Sequence, residues 1–459
     1  MTQTPTGEKR LGLLDATTLV MGSMIGSGIF IVSADIARQV QSPGLLLLVW
    51  GAATLLTLIA ALSYGELAAA MPMAGGQYVY LREAFGPLSG FLYGWTSFLV
   101  IQTGTIAAVA VACAKFSGVF VPWISTKNVV VPGVHTQQLV AIAVIVFLTW
   151  LNGRGVRAGA WVQNIFTFAK TAALIALVVL GFALGRDAEA SRRNFEHLWD
   201  GLQWNWDTLR LAGVAMVGAL FSADAWNNVT FIAGEVRNPK RNLPLALGLG
   251  VGAVCVLYGI TNWVYLSVLP LEAIQSAPED RVATAVVAKM FGPMATYAMA
   301  AAIVVSTFGC VNGLVLAGAR VYYAMSLDGL FFKKAAELHP SRQTPTFALW
   351  AQALWAVLLT LSGSYGNLLD YVIFAVLLFY IATVIGLFVL RRKRPELERP
   401  YRAFGYPVLP VLYVAMAGLI EVLLLLYKPS YTWPGLGIVF AGVPAYFLWR
   451  KTSRPRAAA

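Results

Sequence analysis

Gly22-Ser23-Met24-Ile25-Gly26-Ser27-Gly28-Ile29-Phe30 is the stretch on which the reading turns. Three glycines and two serines fall between positions 22 and 28, in the middle of an apolar block running from about 12 to 38. Glycine costs about 1 kcal/mol relative to alanine in a helix interior, so the cluster favours unwinding. An unwound turn at membrane depth is tolerated only where it is buried in protein or lines a cavity. Beyond such a turn a helix starts afresh, and its first amides attract a carboxylate. Close helix packing is the competing reading of the same residues, because small residues let helices approach.

The rest of the chain sets the frame. Of its 459 residues, 58% are hydrophobic and only 12% charged, with a mean hydropathy of +0.70. Soluble proteins carry about 25% charged residues. The apolar residues form blocks, and about 20 of them cross a bilayer as one helix. Twelve blocks are predicted, at 12–38, 44–70, 87–118, 138–151, 160–184, 208–233, 243–268, 283–326, 347–363, 367–390, 405–427 and 432–450. The fourth and ninth are short for a crossing, and the eighth is long enough to project beyond the membrane. A charged linker with Pro395 and Pro400 separates the tenth block from the last two.

The net charge of +12 lies between the blocks rather than in a basic groove interleaved with aromatics, which excludes nucleic acid as a partner. Lys and Arg favour one set of alternate loops by roughly two to one. That set includes Lys9, Arg10, Arg391 to Arg394, Arg450, Lys451, Arg454 and Arg456. Both termini are therefore expected in the cytoplasm, with the chain a multi-pass protein of the cell membrane. No cleavage site follows Lys9 and Arg10, so the first span is expected to direct insertion itself. Cys113, Cys255 and Cys310 lie inside apolar blocks without metal-ligand spacing. His135, His197 and His339 lie far apart in loops, and no phosphate-cradling motif occurs. No metal, cofactor or enzymatic activity is expected. A channel would need a polar ring or a recognisable filter, which the pattern does not offer.

Phe221-Ser222-Ala223-Asp224-Ala225-Trp226-Asn227-Asn228 lies in the sixth block, five blocks after the first interruption. Interrupted segments at matching positions of two halves point to a transporter built from inverted repeats. Asp224 is ionisable near the bilayer centre, where such a group usually faces an interior pathway; a structural hydrogen bond to a neighbouring span is the alternative. Lys170 lies deep in the fifth block. A buried ammonium mimics a bound cation or titrates, and reaching out to the interface is the alternative. Asn228-Val229-Thr230 matches the glycosylation sequon but falls inside a span, where no glycan fits.

These residues resemble the amino acid–polyamine–organocation superfamily, and within it the L-type amino acid transporter branch with its bacterial relatives. The resemblance covers the first ten spans. It rests on Met24 to Phe30, on Gly75-Gly76-Gln77-Tyr78-Val79-Tyr80 and on Asn227-Asn228 through Glu235-Val236-Arg237-Asn238-Pro239 to Asn242-Leu243-Pro244. Phe308-Gly309-Cys310-Val311-Asn312-Gly313 with Arg320 completes it. It implies the all-α LeuT-type fold, a 5+5 inverted repeat with helices 1 and 6 broken, within about 12 transmembrane helices. The whole chain then forms one transmembrane domain: repeat 1 at 12–184, repeat 2 at 208–390 and two additional helices at 405–450.

By the resemblance, Ser27 and the Gly28 amide hold a substrate carboxylate beside Gly26. Carbonyls near Met24, Ile25, Phe221, Ser222 and Asp224 hold the α-ammonium, and the Phe221 ring is the aromatic gate. Lys170 matches a lysine standing where sodium binds in sodium-coupled members, which implies sodium-independent transport. Two departures stand out. Ala223 and Ala225 flank Asp224 where glycine is common, so a less pronounced break is expected in span 6. The loop at about 117–137 has no cysteine, so no disulfide-linked glycoprotein partner is expected. The expected function is alternating-access transport of neutral L-amino acids, by exchange or coupled to protons. A cationic amino acid or polyamine carrier with Asp224 as counter-charge is the second expectation.

Overall fold

A computed structural model describes residues 11–200, 202–362 and 365–453. Lys9, Arg10, Arg454 and Arg456, used above for orientation, lie outside the described residues.

Each of the twelve apolar blocks meets a helix. Span 1 is Leu13–Met24 followed by Gly28–Val40, span 2 Pro43–Ala70, span 3 Pro87–Ser117, span 4 Thr136–Gly153 and span 5 Val156–Leu184. Span 6 is Trp206–Ser222, continued after an interruption by Asn228–Phe231. Span 7 is Pro239–Val268, span 8 Ala295–Leu327, span 9 Thr346–Ser362, span 10 Tyr365–Lys393, span 11 Val408–Tyr427 and span 12 Pro429–Ser453. Among the described residues nine of these, all but 6, 9 and 12, are long and apolar enough to cross a bilayer by length and composition. Span 6 is split, span 9 has 17 residues and span 12 carries Pro434 and Pro444 inside it. The chain is a nearly all-helical multi-pass membrane protein, with one short antiparallel pair at Val129–Val131 and Val134–His135.

The boundaries follow local chemistry. Span 2 starts at Pro43, whose missing N–H costs a first turn nothing, and the Ser42 hydroxyl accepts from the Leu45 amide at 3.3 Å. It stops at Ala70, just before Met71-Pro72. The eighth block departs from expectation. It is not one long helix: Gly292 (φ 81°) and Pro293 divide Val282–Phe291 from span 8. Proline carries no N–H with which to continue a helix.

Span n packs on span n+5 for four pairs: 1 with 6, 2 with 7, 3 with 8 and 4 with 9. This reciprocity is what two five-span halves of opposite sense produce. Span 11 packs against spans 2, 6 and 10, span 12 against spans 3 and 10, and the two against each other. The linker before them is fastened. Glu66, at the end of span 2 and 1% exposed, accepts from Arg391 Nε (2.9 Å) and Nη2 (2.6 Å) and from the Ala403 amide (2.7 Å), with Arg399 at 3.3 Å.

The two interruptions touch. Ile25 leaves the helix of span 1 (φ −73°, ψ 87°) and the next helix begins at Gly28. Span 6 stops at Ser222, and Ala225 takes a left-handed backbone (φ 64°). The break is therefore complete although alanine stands where glycine was expected, at a cost of about 1 kcal/mol. A Cβ on Gly28 would lie 2.1 Å from the Ser222 hydroxyl and 2.8 Å from its Cα.

Three outcomes follow. Gly28→Ala is expected to lower the melting temperature in detergent by several degrees, because Ser222 backbone stands in the way; an unchanged melting temperature would contradict the close approach. Ala225→Gly is expected to raise stability by about 1 kcal/mol in detergent unfolding, and a loss would contradict the left-handed turn. Glu66→Ala leaves guanidinium groups without their anion, and a loss of about 3–5 kcal/mol is expected, read as a lowered melting temperature.

Candidate functional site

A small cavity lies between the two interruptions. Span 1 contributes Ser23, Met24, Gly26, Ser27 and Gly28, and span 6 contributes Phe221, Ser222, Asp224 and Ala225. Thr105 and Val109 of span 3 and Cys310 of span 8 complete the wall. Seven of the eight expected substrate-site residues thus share one cavity, and Ile25 is the exception. Span 3 reaches it just after a π-helical turn at Ser97–Ile101, a feature that re-aims the following side chains. The free volume is only about 10 Å³, room for roughly one water molecule.

The helix beginning at Gly28 presents its N-terminus here, where the Phe30 amide bonds the Ser27 carbonyl at 3.1 Å, and the helix dipole makes this end of the cavity the anion-attracting one. At the other end the carbonyls released by the break find donors on distant spans. Lys170 of span 5, 1% exposed, donates Nζ to the Gly22 (2.5 Å), Ile25 (2.7 Å) and Ser306 (3.4 Å) carbonyls. The Ser306 hydroxyl lies 3.2 Å from the Ile25 carbonyl and 3.3 Å from that of Gly26. The Tyr258 hydroxyl of span 7 lies 3.0 Å from the Met24 carbonyl and 3.1 Å from that of Ser222, so it bridges both breaks. Cys310 Sγ reaches the Ser23 carbonyl at 3.1 Å. Lys170 does not extend to an interface; its ammonium fills a nest of carbonyls. The Ile25 carbonyl faces Lys170 and Ser306 instead of the cavity.

Asp224 is 7% exposed and accepts from the Tyr380 hydroxyl of span 10 at 2.6 Å. Tyr380, Trp226 and Tyr64 pack ring on ring, at 5.1 Å for Trp226–Tyr380 and 4.8 Å for Tyr64–Trp226. They pack behind Asp224, where Trp226 and Tyr380 line a separate small cavity. One turn before Phe221, Val217 and Gly218 line a vestibule of about 850 Å³, with Ile31 and Val32 of span 1 opposite. Phe221 therefore stands between vestibule and cavity.

On the far side the path is closed by the remaining sequence motifs. The Gly75 amide bonds the Phe231 carbonyl at 3.0 Å, and Gly76 (φ 45°) lies so close to span 6 that a Cβ would be 2.2 Å from the Thr230 hydroxyl. The Gln77 amide accepts from Asn227 (2.9 Å) and donates to Thr383 (3.1 Å). Arg320 pairs with Glu235 at 3.1 Å, and Leu11 bonds both Glu235 and Arg237 through the backbone. Asp328 accepts from Tyr78 at 2.6 Å and pairs with Arg82.

Sequence reasoning missed Tyr258, Ser306 and Tyr380. They are ordinary helix residues until folding brings them to a break, and no local signal marks them. Glu421 was also missed, although a single charge in an apolar block is a readable signal.

Comparison with known proteins agrees with this architecture. A family model described as amino acid permease matches residues 11–444. The b(0,+)-type amino acid transporter 1 of Mus musculus is 31% identical over 450 residues, covering 96% of this chain and 88% of that protein. The Oryctolagus cuniculus protein of the same name is 32% identical over 396 residues, with 86% and 78% covered. The large neutral amino acids transporter small subunit 2 of Mus musculus is 31% identical over 442 residues, with 96% and 81% covered. With paired broken spans, a shared cavity and a family match over nearly its whole length, the chain belongs to the amino acid permease family.

Proposed function

We propose that this protein carries neutral L-amino acids across the cell membrane by alternating access, without sodium. The cavity between the two breaks supports this most directly, because its opposed ends suit a zwitterion. Ser27 and the Gly28 amide take the carboxylate. The carbonyls of Met24, Phe221 and Ser222 and the Asp224 residue take the ammonium, with Ile25 left to Lys170. Phe221 closes the vestibule end. A bound amino acid needs more room than the cavity offers, so binding includes widening between spans 1 and 6.

The Lys170 ammonium already sits among three carbonyl oxygens, which is where a coupling cation would be held. It serves as a standing positive charge. The repeats run 12–184 and 208–390, with 405–450 as additions, and the Lys/Arg bias puts both termini in the cytoplasm and the vestibule outside. No covalent partner is attached on this reading, since Cys113 and Cys310 are buried and Cys255 lies within span 7. One of the relatives is nonetheless named as a small subunit.

A second reading is favoured by Asp224. Its carboxylate lines the cavity, so a cationic amino acid or polyamine has a counter-charge there, and some relatives are b(0,+)-type transporters while others are named for large neutral amino acids.

Counterflow of leucine, serine, alanine, arginine and putrescine in proteoliposomes separates the two. Saturable leucine, serine or alanine counterflow is expected, and counterflow of arginine or putrescine alone would overturn the neutral reading. Lys170→Ala strips a charged donor from three carbonyls and is expected to lower counterflow by about tenfold or more, with or without sodium.

A further inference from the structure

We propose that Glu421 of span 11 is a proton-binding site through which transport is coupled to protons, a site that communicates with the substrate cavity along Tyr413 and Asp224. The proposal rests on the amino acid transport reading above.

Glu421 is the single charged residue between Val408 and Tyr427. It is 7% exposed, and both carboxyl oxygens are buried with no side-chain partner among the described residues, the Leu378 backbone being the polar group beside them. An unpaired carboxylate within a span costs several kcal/mol, so residues of this kind persist where they are used. The cations within reach of span 11 are engaged elsewhere. Lys428 pairs with Asp370 at 3.0 Å, and Arg210 pairs with Asp207 at 3.2 Å while lying over the Tyr427 ring at 5.0 Å. Among the described residues, the titratable groups on the elements packed against span 11 are Asp370, Tyr371, Tyr380, Arg391, Arg392 and Lys393 of span 10, Asp207, Arg210 and Asp224 of span 6, Tyr64 and Glu66 of span 2, and Tyr431, Tyr446, Arg450 and Lys451 of span 12, with Arg391 held by Glu66. Tyr413, Tyr427 and Lys428 stand on or next to span 11 itself. None supplies Glu421 with a cation, and a proton is the one cation that needs no further room.

The link to the substrate is spatial. A second small cavity behind the span 6 break is lined by Asp224, Tyr380 and Tyr413 together with Leu220, Ala223 and Trp226. Tyr413 is two turns from Glu421 on the same helix, and the Glu421 carboxyl lies toward the backbone of Leu378, two residues before Tyr380. Spans 6 and 10, which flank Glu421, also line the vestibule through Val214, Val217 and Leu369. A proton reaches the carboxylate from vestibule water, converts it to the neutral acid, and is returned to water when the other side opens. Lys170 is less suited to that task. An ammonium has three hydrogens, and all three have carbonyl acceptors.

The test uses purified protein in proteoliposomes loaded with the pH dye pyranine. Leucine added outside is expected to acidify the lumen in the wild type, and the proton signal per leucine carried is expected to vanish in Glu421→Gln. Absence of acidification in the wild type despite leucine uptake overturns the proposal, as does an unchanged proton-to-leucine ratio in the variant. Absence of counterflow for every amino acid defeats the transport reading instead. Where Glu421→Gln carries no leucine, wild-type protein treated with dicyclohexylcarbodiimide at neutral pH decides. That reagent modifies carboxyls that hold a proton in an apolar setting. An adduct on Glu421 by mass spectrometry supports the site, and an unmodified Glu421 overturns it.

Discussion

A helix interrupted inside a bilayer releases amides and carbonyls that lipid cannot satisfy. Spans 1 and 6 both do this, and at the same depth, since Gly28 touches Ser222. Carbonyls released at the breaks draw donors from neighbours: Lys170 from span 5, Tyr258 from span 7, Ser306 and Cys310 from span 8. The break therefore dictates which spans surround it and which polar side chains they carry. The amides at Gly28 are the groups best placed to meet a ligand, because helix beginnings have acceptors only when something outside the helix supplies them.

The two sides of the cavity are built differently. The vestibule side is wide and lined by charged residues such as Asp35, Arg38, Asp280 and Lys428. The other side is shut by several separate contacts, Gln77–Asn227, Arg320–Glu235 and the Leu11 backbone bonds among them. A net hydrogen bond contributes about 1 kcal/mol, or about 1.5–3 when charged, so such a seal opens in steps of modest cost. The Glu66 cluster is of another kind. It gathers two guanidinium groups and a backbone amide on a buried carboxylate, and it binds span 2 to span 10 and the linker. That makes it part of the frame against which the seal moves.

Much of this was readable in the sequence because the bilayer enforces it. Span positions follow from apolar block length, and the breaks follow from glycines and an aspartate at corresponding places. The eighth block was misread because its apolar residues continue across Gly292, where backbone geometry and not polarity ends the helix. Ala225 suggested a weak break, yet the chain accepts a left-handed alanine there. Ile25 was expected to face the substrate, but its carbonyl turns to Lys170 and Ser306. Its direction depends on residues about 145 and 281 positions away, and no local pattern encodes that.

The polar residues of the core divide by how fully they are satisfied. Lys170 has an acceptor for each hydrogen, and Asp224 has the Tyr380 hydroxyl on one oxygen. Glu421 has no side-chain partner on either. A satisfied charge resists change, because altering it strands its partners. An unsatisfied one is free to alternate between two states without stranding anything. In a carrier that must pass through at least two conformations, the first kind holds the substrate frame constant while the second is the natural place for a quantity that changes with each cycle. Tyr413 and Asp224 share one cavity wall between the two kinds, and Asp224 also lines the cavity between the breaks, so a change at Glu421 has a short packed route to that cavity.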